Sequence, residues 1–367
     1  MIKPAALTLV LGLSLGAASL DRDIEALVKD LGGSIGRDGQ GRITSIDLHG
    51  SWATDIDLEK LSGAPHLETL NLAQTHVTDI GLAAVAKLPN LISLNLFFCE
   101  HITEAGVAHL KDAPKLRELN LRGARVSDSG MAFLGQIPTL KSLDIGITQI
   151  TGPSLEHLES LENLEHFSLG GNRVSDLGLS YLQMLPNLRS LDLSGAQITD
   201  SGVWGVTVTD VNVESIALLS GLEELSLAAS DAQYIANIGD GVPRIRNRIQ
   251  ITDIGAAKLA TLAGLSKLDL TRAEITSKGL NQLAKLPNLE VLTLADAANL
   301  DDSAVSALLA MPKLRVLDLT GVDISDAAFV QLAKHSALAQ LIAPGTAVTQ
   351  TGADEFERLN PNCNLIW

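Results

Sequence analysis

Apolar residues recur along this chain in hexads of the form L-x-x-L-x-L. The hexads begin at Ile43, Leu67, Leu91, Leu116, Leu140, Leu164, Leu188, Leu222, Leu265, Leu289, Leu314 and Leu338, and most intervals are 24 or 25 residues. "LETLNL", "LRELNL" and "LRSLDL" are typical. A strand places alternate side chains on opposite faces, so the fourth and sixth residues of a hexad point the same way. Each hexad therefore predicts a short strand with one buried side.

About eleven residues after each hexad starts stands a serine or threonine, as at Thr54, Thr78, Thr103, Ser127, Thr252 and Thr276. An acid often follows, as in "VTDIGLAAVAKLPNL", and the next apolar residues, Leu82, Val85 and Leu88, fall at helical spacing. A hydroxyl at that place caps a helix, and the acid suits the positive end of the helix dipole. Prolines such as Pro89, Pro114 and Pro287 close the helices before the next strand. One strand and one short helix cannot bury both of their apolar faces. Stacked copies can, which predicts an α/β solenoid with a parallel sheet on one side and helices on the other. "PNCNLIW" begins a thirteenth strand.

The unit L-x-x-L-x-L-x-x-(T/A/N/C)-x-(I/V)-(T/S)-D-x-G-(L/V) resembles the leucine-rich repeat. It is most similar to the ribonuclease-inhibitor-like, cysteine-containing type found in many bacterial proteins. The resemblance covers residues 43–367 in about 12 repeats, and the lead-in over 20–42 looks like the N-terminal cap of exported bacterial members. It implies a right-handed horseshoe, with a parallel β-sheet on the concave face and short helices on the convex face. It also implies a role in binding other macromolecules, without naming a ligand.

Two adjacent intervals break the period: Leu188 to Leu222 is 34 residues, and Leu222 to Leu265 is 43. Counted back from the next hexad, Thr209 and Thr252 stay in phase, so "VTDVNVESIALLSGL" predicts an ordinary helix half and the extra residues lie between strand and helix. Insertions are thus expected near 196–208 and 231–250, side by side on one edge. The chain holds 3 Trp and 2 Tyr, and Trp204 and Tyr234 fall in the two insertions. "YIANI" and "RIRNRI" alternate around "GDG", which predicts a β-hairpin flap. On its second arm Arg244, Arg246 and Arg248 share a face. These five residues are the expected contacts to an anionic or carboxylate-bearing partner, with the aromatics as anchors.

The outward position between the last two apolar residues of each hexad forms a weaker candidate surface. Asp144, Asp192, Asp269 and Asp318 stand there, never in neighbouring units. Like charges about 5 Å apart repel, so that spacing serves stability. The column reads equally as a mildly acidic groove for an extended ligand or as a solvated face. Phe97 and Phe98 lie nearby.

Charge narrows the partners. With 43 acids against 27 bases the net charge is -16, which argues against nucleic acid. The N-terminus, "MIKPAALTLVLGLSLGAAS", has the layout of a signal peptide over residues 1–19, so a periplasmic or extracellular protein with no membrane span in the mature chain is expected. Cys99 and Cys363 sit some nine units apart, roughly 45 Å at the strand spacing, while a disulfide needs Cα atoms within about 7 Å. They are expected as buried thiols. No metal-ligand, P-loop or nucleophile-elbow motif stands out, so no cofactor is expected. The expectation is a monomeric, non-catalytic protein–protein interaction module. An envelope carbohydrate binder and a host-directed effector or adaptor are the alternatives.

Overall fold

The computed structural model describes residues 20–199, 202–229 and 249–367. The expected signal peptide, Tyr234, Arg244, Arg246 and Arg248 lie outside the described residues. The chain divides into two compact units, Met1–Ile150 with His157–Leu164, and Thr151–Glu156 with Glu165–Trp367.

The first unit opens with helix α1 over residues 20–30 and strand β1, Ser34–Arg37, which pairs antiparallel with β2, Ile43–Asp47. Parallel strands β3 (Thr69–Asn71), β4 (Ser93–Asn95), β5 (Glu118–Asn120) and β6 (Ser142–Asp144) follow. Between them stand α2 (Asp55–Leu61), α3 (Asp79–Val85) and α4 (Glu104–Leu110), with α5 (Asp128–Leu134) leading to β6. The register aligns the fourth position of each hexad: Ile46 with Leu70, Leu70 with Leu94, Leu94 with Leu119, Leu119 with Leu143. In the second repeat Leu67, Leu70, Leu72, Val77, Leu82, Val85 and Leu88 are all buried, so strand and helix share one apolar core. Each such leucine contributes about 1.5–3 kcal/mol by leaving water.

The second unit repeats the plan with β7 (His166–Ser168), β8 (Ser190–Asp192), β12 (Glu224–Ser226), β14 (Lys267–Asp269), β15 (Val291–Thr293), β16 (Val316–Asp318), β17 (Gln340–Ile342) and β18 (Asn364–Ile366), all parallel. Its helices are α6 (Asp176–Tyr181), α7 (Val213–Ala217), α8 (Asp253–Leu259), α9 (Ser277–Leu283), α10 (Val305–Leu309), α11 (Asp326–Leu332) and α12 (Gln350–Leu359). Both cysteines are free and buried.

A second bonding pattern locks repeat to repeat. The sequence places the acid after the cap, where it reads as a partner of its own helix. Instead the carboxylate reaches the next repeat. Asp55 accepts the N–H of Thr78 at 2.8 Å and its hydroxyl at 2.7 Å, and Asp79 does the same for Thr103. Asp253 holds Thr276, and Asp326 holds Thr349. The threonine hydroxyl meanwhile accepts the N–H two residues on, as from Ile80 and Ala105. One hydroxyl is thus both clasp and cap.

Two helices depart from expectation. Residues Gly152–Ser160 form a 3-10 helix. The residue two beyond the cap Thr151 is Pro153, which has no N–H for the cap bond. The helix expected to follow Thr209 begins later, at Val213. Here the Asn212 amide stands between the usual clasp partners. Its oxygen accepts the Thr209 N–H at 2.7 Å, and its nitrogen donates to Asp176 at 2.6 Å and to the Thr207 carbonyl at 2.9 Å. Thr209 keeps its capping bond, accepting from Val211 N–H at 3.3 Å, while the displaced main chain shortens α7 to 5 residues.

Candidate functional site

The second unit carries its irregular residues on one edge. Adjacent strands β8 and β12 pair Leu191 with Leu225, and each leads into extra chain before its helix. After β8 the chain forms an antiparallel hairpin, β9 (Ala196–Thr199) and β10 (Gly202–Gly205), with residues 200 and 201 between them outside the described residues. After β12 it runs into residues 230–248, also outside them. It returns as β13, Ile249–Gln250, which pairs in parallel with β11, Val208–Thr209. Val208 lies opposite Ile249 and Thr209 opposite Gln250, so both stretches of extra chain end side by side.

Trp204 sits on β10 opposite Gln197 and is half-buried. The Gln197 amide donates to the Gly171 carbonyl at 2.9 Å, tying the hairpin to the turn of an earlier repeat. The alternation in the sequence pointed to a hairpin in the second stretch, and the described hairpin is in the first. "AQIT" and "GVWG" carry the signal, each an alternating arm, but Asp200-Ser201 between them is not one of the glycine-bearing pairs that mark tight hairpins.

Of the four aspartates on the exposed sheet face, the structure brings two together. Asp192 and Asp269 flank Ser226 across β8, β12 and β14. With Ser190, Glu224 and Lys267 they line a shallow depression of 300 Å³. Asp318 lies two strands beyond Asp269, and Asp144 belongs to the first unit, 3.6 Å from Arg122. Each of the four has an oxygen committed to the turn that ends its own strand. Asp192 accepts from Ser194 N–H, Asp269 from Thr271 N–H, Asp318 from Thr320 N–H, and Asp144 from Gly146 N–H, at 2.8–2.9 Å. The asparagines Asn71, Asn95 and Asn120 make the same bond. This column therefore terminates strands, which is why aspartate and asparagine share it. In the depression Lys267 also pairs with Glu224. Phe97 and Phe98 stand edge to face at 4.7 Å on the turn after β4.

A further surface feature escaped the sequence reading. The residue immediately after the clasp acid is a large exposed aliphatic in three successive repeats: Leu177 is 58% exposed, Val211 81% and Ile254 65%. Leu177 and Ile254 stand in the first turns of α6 and α8, and Val211 follows β11 two residues ahead of α7. The signal lay in the motif itself, where (T/S)-D is followed by Leu, Val or Ile. Buried aliphatics dominate every repeat, and one residue's phase decides which face it takes. Among the described residues no group of three or more His, Cys, Asp or Glu could hold a metal ion, and no helix is long and apolar enough to cross a membrane.

Comparison with known proteins bears on the fold. A family model described as Leucine Rich repeat matches residues 63–86 and 113–135, and one described as Leucine Rich repeats (2 copies) matches 162–203. The structure of an internalin from Listeria monocytogenes aligns with a TM-score of 0.57 at 18% identity, over 96% of this chain and 95% of that one. A leucine-rich-repeat protein from Leptospira interrogans aligns with a TM-score of 0.46 at 16% identity, over 84% of this chain and 80% of that one. A Caenorhabditis elegans protein whose name proposes RNA binding is 28% identical over 167 residues, 42% of this chain and 23% of that protein, so the chain spans under a quarter of that relative. Repeat length, strand register and matched segments agree on one conclusion: the chain is built of leucine-rich repeats.

Proposed function

We propose that this chain is a non-catalytic protein-binding module of an exported bacterial protein, and that it grips its partner along the edge where the two insertions arise. The observation that carries this reading is the row of Leu177, Val211 and Ile254, open to solvent in consecutive repeats. Contiguous exposed aliphatic surface is costly for a soluble protein unless a partner covers it. Val211 and Ile254 follow the return arms β11 and β13 along the chain, and Trp204 lies on the hairpin just before β11, which would supply an aromatic anchor beside aliphatic ones. Tyr234, Arg244, Arg246 and Arg248 complete the reading as contacts from the second insertion, the arginines facing carboxylates on the partner. Leucine-rich repeats act generally as interaction modules rather than catalysts, which fits a site built from anchors and turn-capping acids. The RNA binding proposed in one relative's name finds little support here, because a chain of charge -16 repels a phosphate backbone.

The test is quantitative crosslinking in the native host, with the wild-type chain, a deletion of residues 232–248 that keeps β13, and Val211→Asp with Ile254→Asp. Circular dichroism should show all three folded. Partners crosslinked to the wild type should be lost from both variants. Recovery of the same partners at the same yield from both would refute the reading.

A further inference from the structure

One junction of the second unit has lost the clasp without a substitute. The motif at Thr151 reads T-G-P, so Gly152 stands where other repeats carry the acid. The next cap, Ser175, therefore receives no carboxylate. Neither its N–H nor its hydroxyl bonds any described residue, so it does not cap α6 either. Two other junctions also lack the direct clasp, but each keeps a local bond in its place. Asp301 accepts the Ser303 N–H at 2.9 Å as a cap of its own, and the Ser127 hydroxyl lies 3.1 Å from the Ser129 hydroxyl.

Main chain takes the space that the carboxylate fills elsewhere. A Cβ on Gly81 would stand 2.5 Å from an Asp55 oxygen, whereas a Cβ on Gly178 would stand 2.7 Å from the Gly152 Cα. Two glycines in contact bring packing but none of the three bonds that Asp253 makes to Thr276 and Gly279. On the other side of the junction Pro153 removes a cap N–H, and the chain continues as the 3-10 helix Gly152–Ser160, whose bonds are poorer than those of an α-helix. The Gly152 N–H still donates to the Arg173 carbonyl, at 3.2 Å.

We infer that the junction of Gly152 with Ser175 is an opening point built into the stack, where the first turn of α6 parts from the preceding repeat while clasped junctions stay shut. Opening is easiest where few bonds join one element to the next, and repeats contact chiefly their neighbours, so the event is local. The far side of α6 is fastened, since Asp176 receives the Asn212 amide at 2.6 Å. Leu177, 58% exposed, rides on this turn. Under the proposed function the opening lets that anchor shift as a partner seats, a consequence that rests on that proposal.

Amide hydrogen exchange of the full chain, resolved by NMR with no partner present, tests the opening. The Leu179 N–H donates to the Ser175 carbonyl at 3.0 Å, and Ala256 and Leu280 make the same bond to Thr252 and Thr276 at 3.0 and 3.1 Å. Leu179 should be about tenfold less protected than either. Gly152→Asp supplies the missing acid. A Cβ on residue 152 would lie 3.3 Å from the Gly178 nitrogen and 3.9 Å from that of Ser175, so a carboxylate there has both N–H groups in reach. Protection of Leu179 should then rise about tenfold, while Gly152→Ala, which adds the Cβ alone, should not raise it. Asp253→Ala empties a clasped junction and should bring Leu280 down to the protection of Leu179, a test that stands even if the residue-152 variants do not fold. Equal protection of Leu179, Ala256 and Leu280 in the wild type would overturn the proposal. So would equal gains from Gly152→Asp and Gly152→Ala, or a Leu280 unmoved by Asp253→Ala. These outcomes hold whether or not the insertion edge binds a partner.

Discussion

The Asp253 carboxylate accepts the backbone N–H and the hydroxyl of Thr276, both at 2.8 Å, one repeat further along the chain. It also accepts the N–H of Gly279 at 2.9 Å. A Cβ placed on Gly279 would stand 2.6 Å from that same carboxylate oxygen. The motif T-D-x-G is therefore one device spread over two repeats: the acid of one occupies the space left by the glycine of the next.

This arrangement reverses an ordinary substitution. Glycine to alanine within a helix usually stabilises by about 0.5–1 kcal/mol. Gly279→Ala should instead lower the urea midpoint, because the new methyl displaces the clasp. Asp253→Ala should cost about 1–3 kcal/mol, leaving the Thr276 and Gly279 N–H groups unsatisfied. In the Asp253→Ala background Gly279→Ala should do much less harm. Additive losses in the double variant would show that glycine and acid do not share the space.

The same bonds set the response to acid. Burial raises the Asp253 pKa, but hydrogen bonds from Thr276 and Gly279 and the nearby Lys278 charge together hold it below the ordinary 3.8. At Asp326 the Thr349 hydroxyl and N–H act in the same direction. A carboxyl whose folded pKa lies below its unfolded value binds protons more readily when unfolded. Its contribution is complete above 3.8 and drains as the pH falls through the lowered folded value. Unfolding free energy from urea titrations should therefore hold steady near neutrality and decline from about pH 5 downward. Asp253→Asn with Asp326→Asn should decline less steeply, and an unchanged slope would contradict the assignment.

Which parts of this were legible beforehand follows from how far apart the partners lie. The strands were, because Leu67, Leu70 and Leu72 obey a local period that any neighbouring copy must satisfy. The clasp was not, because Asp55 and Thr78 are 23 residues apart while the acid's neighbour in sequence, Thr54, offers a local explanation. Phase counting located the extra chain after β8 and β12, since Thr209 and Thr252 keep their distance from the next hexad. It could not foresee Asn212, whose amide replaces a direct clasp only once a hairpin has shifted the main chain. The spacing placed the aspartate column on the outward side of the strands, yet its bonds to the turns beyond depend on backbone direction that spacing does not encode.

His335 marks a local conflict between sequence and environment. It is buried, its Nε2 lies 2.9 Å from the Met311 carbonyl, and its Nδ1 has no partner. Leu88, Leu286 and Met311 occupy the equivalent position elsewhere. A buried polar atom left unpaired costs about 1–3 kcal/mol. His335→Leu should raise the urea midpoint by an amount equivalent to about 1 kcal/mol, after the lost Nε2 bond is counted. A lower midpoint would mean that the Met311 carbonyl depends on that ring.

Asn212 offers a route to the insertion edge that touches no exposed side chain. Its amide is buried and makes three bonds, joining Asp176, Thr207 and Thr209. Thr209 ends β11, the strand on which the second insertion returns as β13. Asn212→Ala leaves the Thr209 N–H and the Asp176 carboxylate without these partners, a loss of about 2–3 kcal/mol. The loss should be local, since repeats contact chiefly their neighbours. Hydrogen exchange should quicken at 207–212 and 249–252 while the amides of β16 and β17 keep their protection. Asn212→Asp would place a second carboxylate against Asp176 and should open the same segment further. If exchange rose evenly across the second unit instead, Asn212 would be a general stabiliser of the stack and not the pin that aligns the two return arms.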